Sequence, residues 1–245
     1  MRDGMLSVVC LLWQDPIKYR DYMFEFEHVR VLRSMVARYL RAEHRFICLT
    51  SVGEVWGHTL DDGTRYLPLD RKTFRHQTRF AKLQLFRKDI AETLGERILY
   101  LDLDTVITDD ITPLVDRTED LVLWRNPRFD EGLTPSRFNT SMILLTAGVR
   151  PDLYDDFTEE AYQKFVAENG SFPFKGGSDQ RWVSDRVSHD NPYWDASDGV
   201  YGAGALGAPP TSLPDNARIV FTPGNRIPSQ DATQEKHPWM KDHYY

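Results

Sequence analysis

The sequence predicts an α/β domain with a mainly parallel central sheet flanked by helices. Three observations carry that expectation. Apolar runs of strand length recur through the first hundred residues, over 6–12, 46–50, 66–69 and 97–101. Segments with apolar residues at helical spacing lie between them, and strands that alternate with helices build parallel sheets. With 245 residues, 41% hydrophobic and 27% charged, the chain can fill one core and is too apolar for a disordered polymer.

The elements follow in order. Residues 6–12 form the first strand, closed by Trp13. Val29, Leu32, Val36, Tyr39 and Leu40 recur at helical spacing and place a helix over about 24–40. A second strand follows over 46–50, and Asp61-Asp62-Gly63 marks a turn before the third over 66–69. A long helix is expected over 73–94, with Gly95 in its C-terminal cap. The strand over 97–101 then runs into Asp102-Leu103-Asp104.

The second half is less regular. Strands are expected over 121–124 and 141–146, and helices over 157–167 and 179–187, the latter with Ser178 as N-cap. Residues 190–216, rich in Gly, Ala, Pro, Ser and Asp, predict a long loop, and 218–221 a last strand. No internal repeat or linker divides the sequence, so one domain over 1–245 is expected.

Several classes are excluded at this level. The longest apolar run, from Leu6 to Trp13, is too short to span a bilayer, and the first residues lack a secretory pattern. Cys10 and Cys48 are the only cysteines, which rules out a disulfide framework and makes a reducing cytoplasm the expected location. The net charge of −7 is unevenly spread, +4 over residues 1–100 and −11 over the rest. Residues 71–88 hold Arg71, Lys72, Arg75, Arg79, Lys82, Arg87 and Lys88 with no acid among them. A run of this kind is either a solvated helix face or a local anion site.

Asp102 and Asp104 are the strongest chemical signal. Continued strand alternation would send both carboxylates to one side and Leu103 into packing. The carboxyl ends of parallel strands are where open α/β sheets bind ligands. Adjacent carboxylates repel unless a cation joins them, and hard divalent ions such as Mg²⁺ and Mn²⁺ take oxygen ligands. On a single helix the basic Lys72, Arg75, Arg79 and Lys82 share a side with the apolar Leu83, Phe86, Ile90 and Leu94. An inward face of that kind needs an anion under its basic end, and a nucleotide diphosphate fits.

The run from Ile98 to Ile107, with Asp102-Leu103-Asp104 at its centre, resembles the Asp-x-Asp segment of GT-A glycosyltransferases. It is most similar to the family 8-like group and to small bacterial and phage sugar transferases. Phe138-Asn139-Thr140-Ser141, followed by apolar residues, resembles that group's second sugar-site strand, and Ser178-Asp179-Gln180 its later Asp-Gln element. The resemblance implies a single Rossmann-like GT-A domain, with 1–104 the nucleotide-binding half and 105–245 the half for sugar and acceptor. It implies metal-dependent transfer of a sugar from a nucleotide-diphosphate donor, most often a uridine one. Asp102 would sit near the ribose and metal, and Asp104 would ligate the Mn²⁺ or Mg²⁺ directly. Arg79 and Lys82 would approach the diphosphate or donor sugar, and Asn139 and Asp179 the sugar hydroxyls or reacting centre. Trp124 is either a stacking face for the sugar or a core residue.

One departure stands near the C-terminal end. The group supplies a third metal ligand, a His, followed by Gly and Lys-Pro on the phosphates. Here the stretch reads Thr222-Pro223-Gly224-Asn225-Arg226-Ile227-Pro228, without the His. Arg226 would then serve the diphosphate, and His237, His243 or water would supply the third ligand. The expected acceptor is a glycan, a lipid-linked glycan or a hydroxymethylated DNA base. Two alternatives come from other classes: a haloacid-dehalogenase-type phosphatase, whose Asp-x-Asp is usually followed by Gly-Thr, and a non-catalytic nucleotide-sugar binder.

Overall fold

The structure is a computed structural model that describes residues 4–13, 24–60, 62–70, 78–170, 178–203, 212–222 and 227–245, with only the backbone for Thr78 and Arg79. Its seven-stranded sheet has the spatial order β3-β2-β1-β4-β7-β6-β8. The strands are β1 (Leu6–Leu12), β2 (His44–Thr50), β3 (Arg65–Pro68), β4 (Arg97–Leu101), β6 (Leu121–Arg125), β7 (Phe138–Thr146) and β8 (Tyr193–Trp194). β3, β2, β1 and β4 run parallel, β7 runs antiparallel to both β4 and β6, and β8 is parallel to β6. A second sheet, β5-β10-β9, joins β5 (Thr105–Ile107), β10 (Ile219–Phe221) and β9 (Val200–Gly202). The mostly parallel α/β architecture expected from the sequence is the one observed.

Both faces of the main sheet are covered, which explains why its strands read as unbroken apolar runs rather than alternating ones. Val8, Cys10 and Leu12 of β1 face helix α1 (Phe26–Tyr39), whose Val29, Leu32, Met35 and Val36 are buried. Val9 and Leu11 face the opposite cluster, with Phe80, Phe86, Phe157 and Trp182. Cys10 and Cys48 are register partners in adjacent strands, buried and free.

The expected helix over 73–94 is not formed across its described part. Thr78–Phe86 winds as 3-10 turns, and a short helix α2 (Ala91–Leu94) follows, ended at Gly95 with φ +75°. The reason lies in burial: Phe80 through Phe86 are buried without a break, Lys82 and Gln84 included. A helix with one apolar stripe would expose half of them. Gln84 fixes the path by accepting from the Asp70 amide at 3.0 Å and donating to the Ala81 carbonyl at 2.7 Å. Arg71, Lys72 and Arg75 lie outside the described residues.

Further short helices are α3 (Thr112–Val115), α4 (Pro127–Asp130) and α5 (Asp152–Asp155). α6 (Glu159–Asn169) and α7 (Asp179–Ser184) match the two helices expected late in the chain, α7 starting at the Ser178 cap. The expected loop over 190–216 contains β8 and β9. Finally α8 (Asp231–Lys236) leads to α9 (Met240–His243), which packs on β5.

Candidate active site

Strand β4 ends at Leu101, and Asp102, Leu103 and Asp104 form the turn into β5. The two carboxylates are therefore gathered by a turn rather than by continued strand alternation. Leu103 packs into the core as expected. The turn is held at both ends: the Asp102 amide donates to the Ser141 carbonyl at 2.9 Å, and Thr222 donates its amide to the Asp104 carbonyl at 3.0 Å. The Thr105 hydroxyl closes it by donating to the Asp102 carbonyl.

Facing this turn is a break in β7. Leu123 pairs with Ile143, but its neighbour Trp124 pairs with Asn139, so Thr140, Ser141 and Met142 bulge from the β6 ladder. Bulges re-aim side chains, and they gather beside functional sites. The Asn139 side chain accepts from the Ser141 amide at 2.8 Å and so stabilises the bulge from within. Thr140, carried on it, donates its hydroxyl to Asp179. Asp179 itself is the first residue of α7, buried at the positive end of the helix.

Lys82 closes the group from the 3-10 segment. Its Nζ lies 2.8 Å from Asp102 Oδ2 and 3.5 Å from Asp179 Oδ2, with side-chain exposures of 7% for the lysine and 5% for Asp179. Burial alone would lower the ammonium's pKa, but Asp102 and Asp179 outweigh it and hold Lys82 above its ordinary value. Tyr100, two residues before Asp102 on β4, donates its hydroxyl to Asp102 Oδ1. Both oxygens of Asp102 thus have protein donors. Asp104 differs: its Oδ1 is buried and has no hydrogen-bond partner among the described residues. Burial and the Asp102 charge push its carboxyl up to about 7, against the opposing pull of Lys82.

Four of the residues predicted from sequence therefore meet: Lys82, Asp102, Asp104 and Asp179. Lys82 is turned inward as expected, and the anions under it are the Asp102 and Asp179 carboxylates. Asn139 stands on the same bulge, with its carbonyl oxygen engaged by the backbone. Trp124 is 2% exposed and stacks on Phe221 with ring centroids 4.8 Å apart, so a protein ring covers the face expected to meet a sugar. His237 is buried against Trp239, ring centroids 6.0 Å apart, and His243 packs beside Tyr39. Neither joins the two carboxylates: among the described residues no group of three or more His, Cys, Asp or Glu is arranged to hold a metal. The Arg79 side chain and Arg226 lie outside the described residues. Sequence reasoning missed Tyr100 and Thr140. Tyr100 was legible, two residues before Asp102 near the end of β4, while Thr140 depends on the bulge.

The fit of a divalent cation can be judged from these atoms. Two carboxylates supply the hard oxygen ligands that Mg²⁺ and Mn²⁺ require. The unpartnered Asp104 oxygen beside a second carboxylate leaves an oxygen ligand open to a cation. The donor set fits.

Among solved structures, the whole chain superposes on the galactosyltransferase LgtC in complex with donor and acceptor sugar analogs. The TM-score is 0.63 at 14% identity, covering 98% of this chain and 96% of that one. The chain has the GT-A glycosyltransferase fold. The apo-form glycosyltransferase GlyE of Streptococcus pneumoniae TIGR4 matches with a TM-score of 0.57 at 13% identity, covering 93% of this chain and 56% of that one. No protein-family model matches the sequence, and no curated protein sequence does. The likeness is one of fold, and the site has to carry the function.

Proposed function

We propose that the chain is a metal-dependent glycosyltransferase of the family 8-like kind, moving a sugar from a nucleotide-diphosphate donor to an acceptor hydroxyl. The observation that carries this is the gathering of Asp102 and Asp104, half-buried, with the buried Lys82 and Asp179 at the seam of a GT-A fold. LgtC, of the same fold, binds donor and acceptor sugar analogs. Asp104, with Asp102 beside it, would hold Mn²⁺ or Mg²⁺, whose charge stabilises the departing diphosphate. Lys82 holds Asp102 and Asp179 in place through its two ion pairs. Asp179, steadied by Thr140, faces the sugar hydroxyls or the reacting carbon. The sugar C1–O bond to the diphosphate breaks, a C1–O bond to the acceptor forms, and the acceptor hydroxyl gives up its proton.

A screen of nucleotide sugars, UDP-galactose and UDP-glucose among them, with and without Mn²⁺ tests this. Metal-dependent thermal stabilisation and slow donor hydrolysis are expected, both lost in Asp104→Asn. No stabilisation by any donor at any Mn²⁺ concentration would remove the proposal. Binding with no turnover would leave a nucleotide-sugar binder instead. The acceptor is a glycan, a lipid-linked glycan or a hydroxymethylated DNA base. Steep loss of acceptor binding with salt marks DNA, and salt-insensitive transfer to a free sugar excludes it.

A further inference from the structure

The segment from His237 to Tyr245 folds back beside the carboxylate turn. Helix α9 packs on β5, which begins one residue after Asp104. Arg38 of α1 anchors this segment: its guanidinium donates to the Tyr245 carbonyl at 2.6 Å and to the His243 carbonyl at 2.8 Å, and lies 3.9 Å from the centre of the Tyr245 ring. Tyr244, 8% exposed, shares the apolar cluster that contains Leu103 and Val106 on either side of Asp104.

Its phenol hydroxyl is buried and has no hydrogen-bond partner among the described residues. Asp104 Oδ1 is in the same condition. Most buried polar atoms are partnered, and here an open acceptor and an open donor stand on segments that pack together. A tyrosine hydroxyl is protonated at neutral pH, so it can donate. A phosphate oxygen, which only accepts, is the complement to that donor beside a carboxylate able to bind metal.

We propose that Tyr244 is a further donor-binding residue, whose hydroxyl donates a hydrogen bond to a diphosphate oxygen of the nucleotide sugar held at Asp104. The inference rests on the glycosyltransferase function proposed above. It gives the segment 237–245 a task at the site. Tyr244→Phe removes the hydroxyl and keeps the packing ring.

Titration calorimetry of the full chain in Mn²⁺, with pyrophosphate, UDP and uridine as probes, separates the outcomes. Pyrophosphate and UDP should bind the variant about tenfold more weakly, a difference of about 1.4 kcal/mol, with uridine unchanged. Comparing pyrophosphate with uridine on one preparation keeps the result independent of how much variant is folded. Unchanged affinity for pyrophosphate overturns the inference, and an equal loss for uridine overturns the assignment to phosphate. If the wild-type chain binds none of the three probes, the glycosyltransferase proposal itself fails.

Discussion

Lys82 sets the charge balance of the site, because its ammonium is the cation that Asp102 and Asp179 share. Removing one member of a buried ion pair leaves the remaining charges uncompensated, which costs about 3–5 kcal/mol. Lys82→Met should therefore lower folding stability by about 3 kcal/mol in urea titration. A loss under about 1 kcal/mol would mean that water already screens these carboxylates. Asp104 gives a pH signature. Its carboxyl titrates at about 7 in the ligand-free fold against 3.8 for an ordinary aspartate, so the native state holds a proton the unfolded chain has released. The stability this contributes is complete below the unfolded value, falls across that window and is gone above about 7. Asp104→Asn cannot titrate. Its melting temperature should fall less steeply with pH than the wild type's and exceed it above neutrality. Parallel curves would show that Asp104 is ionised throughout. The carboxylate pair was legible in sequence because two acids after an apolar strand are conspicuous. Lys82's partners were not, since they come from the turn after β4 and from α7, 20 and 97 residues along the chain.

At the scale of elements, the bulge in β7 brings the second half of the chain to the site. Asn139 holds it through the bond to the Ser141 amide. Asn139→Ala leaves that buried amide without its acceptor, at a cost of about 1–3 kcal/mol. Because the bulge carries Thr140, which hydrogen-bonds Asp179, activity at a temperature where the variant is fully folded should fall at least tenfold. Full activity in a folded variant would show that the bulge survives without the side chain. Strands β1 and β4 were readable residue for residue, since every position in them is buried and a short apolar run says so directly. The same signal misled over residues 78–94. Leu83 and Phe86 belong to the continuous burial of Phe80 to Phe86, and Ile90 and Leu94 to the turn and short helix that follow, so their shared spacing did not distinguish one helix from buried 3-10 turns and a second element. β8 and β9, two and three residues long, are fixed by their partners β6 and β10 and carry no pattern of their own.

Across the whole molecule, the halves 1–104 and 105–245 meet in a single sheet, where β4 lies between β1 of the first half and β7 of the second. The candidate site stands on that seam, with Lys82, Asp102 and Asp104 from one half and Thr140 and Asp179 from the other. The apolar clusters cross it too: Val9, Leu11 and Ile98 pack with Ile143, Phe157 and Trp182. Two halves that share a sheet and a core cannot unfold independently, so one cooperative transition is expected on heating. A ligand that binds only the native state adds about 2.7 kcal/mol at a hundred times its Kd. Unfolding entropy of about 2.1 cal/mol/K per residue turns that into a rise of about 5 °C for a chain of this length. Calorimetry with Mn²⁺ and UDP at that excess should move the entire transition by this amount without splitting it. A second transition, with only one of the two moving, would separate the halves and show that the site belongs to one of them alone.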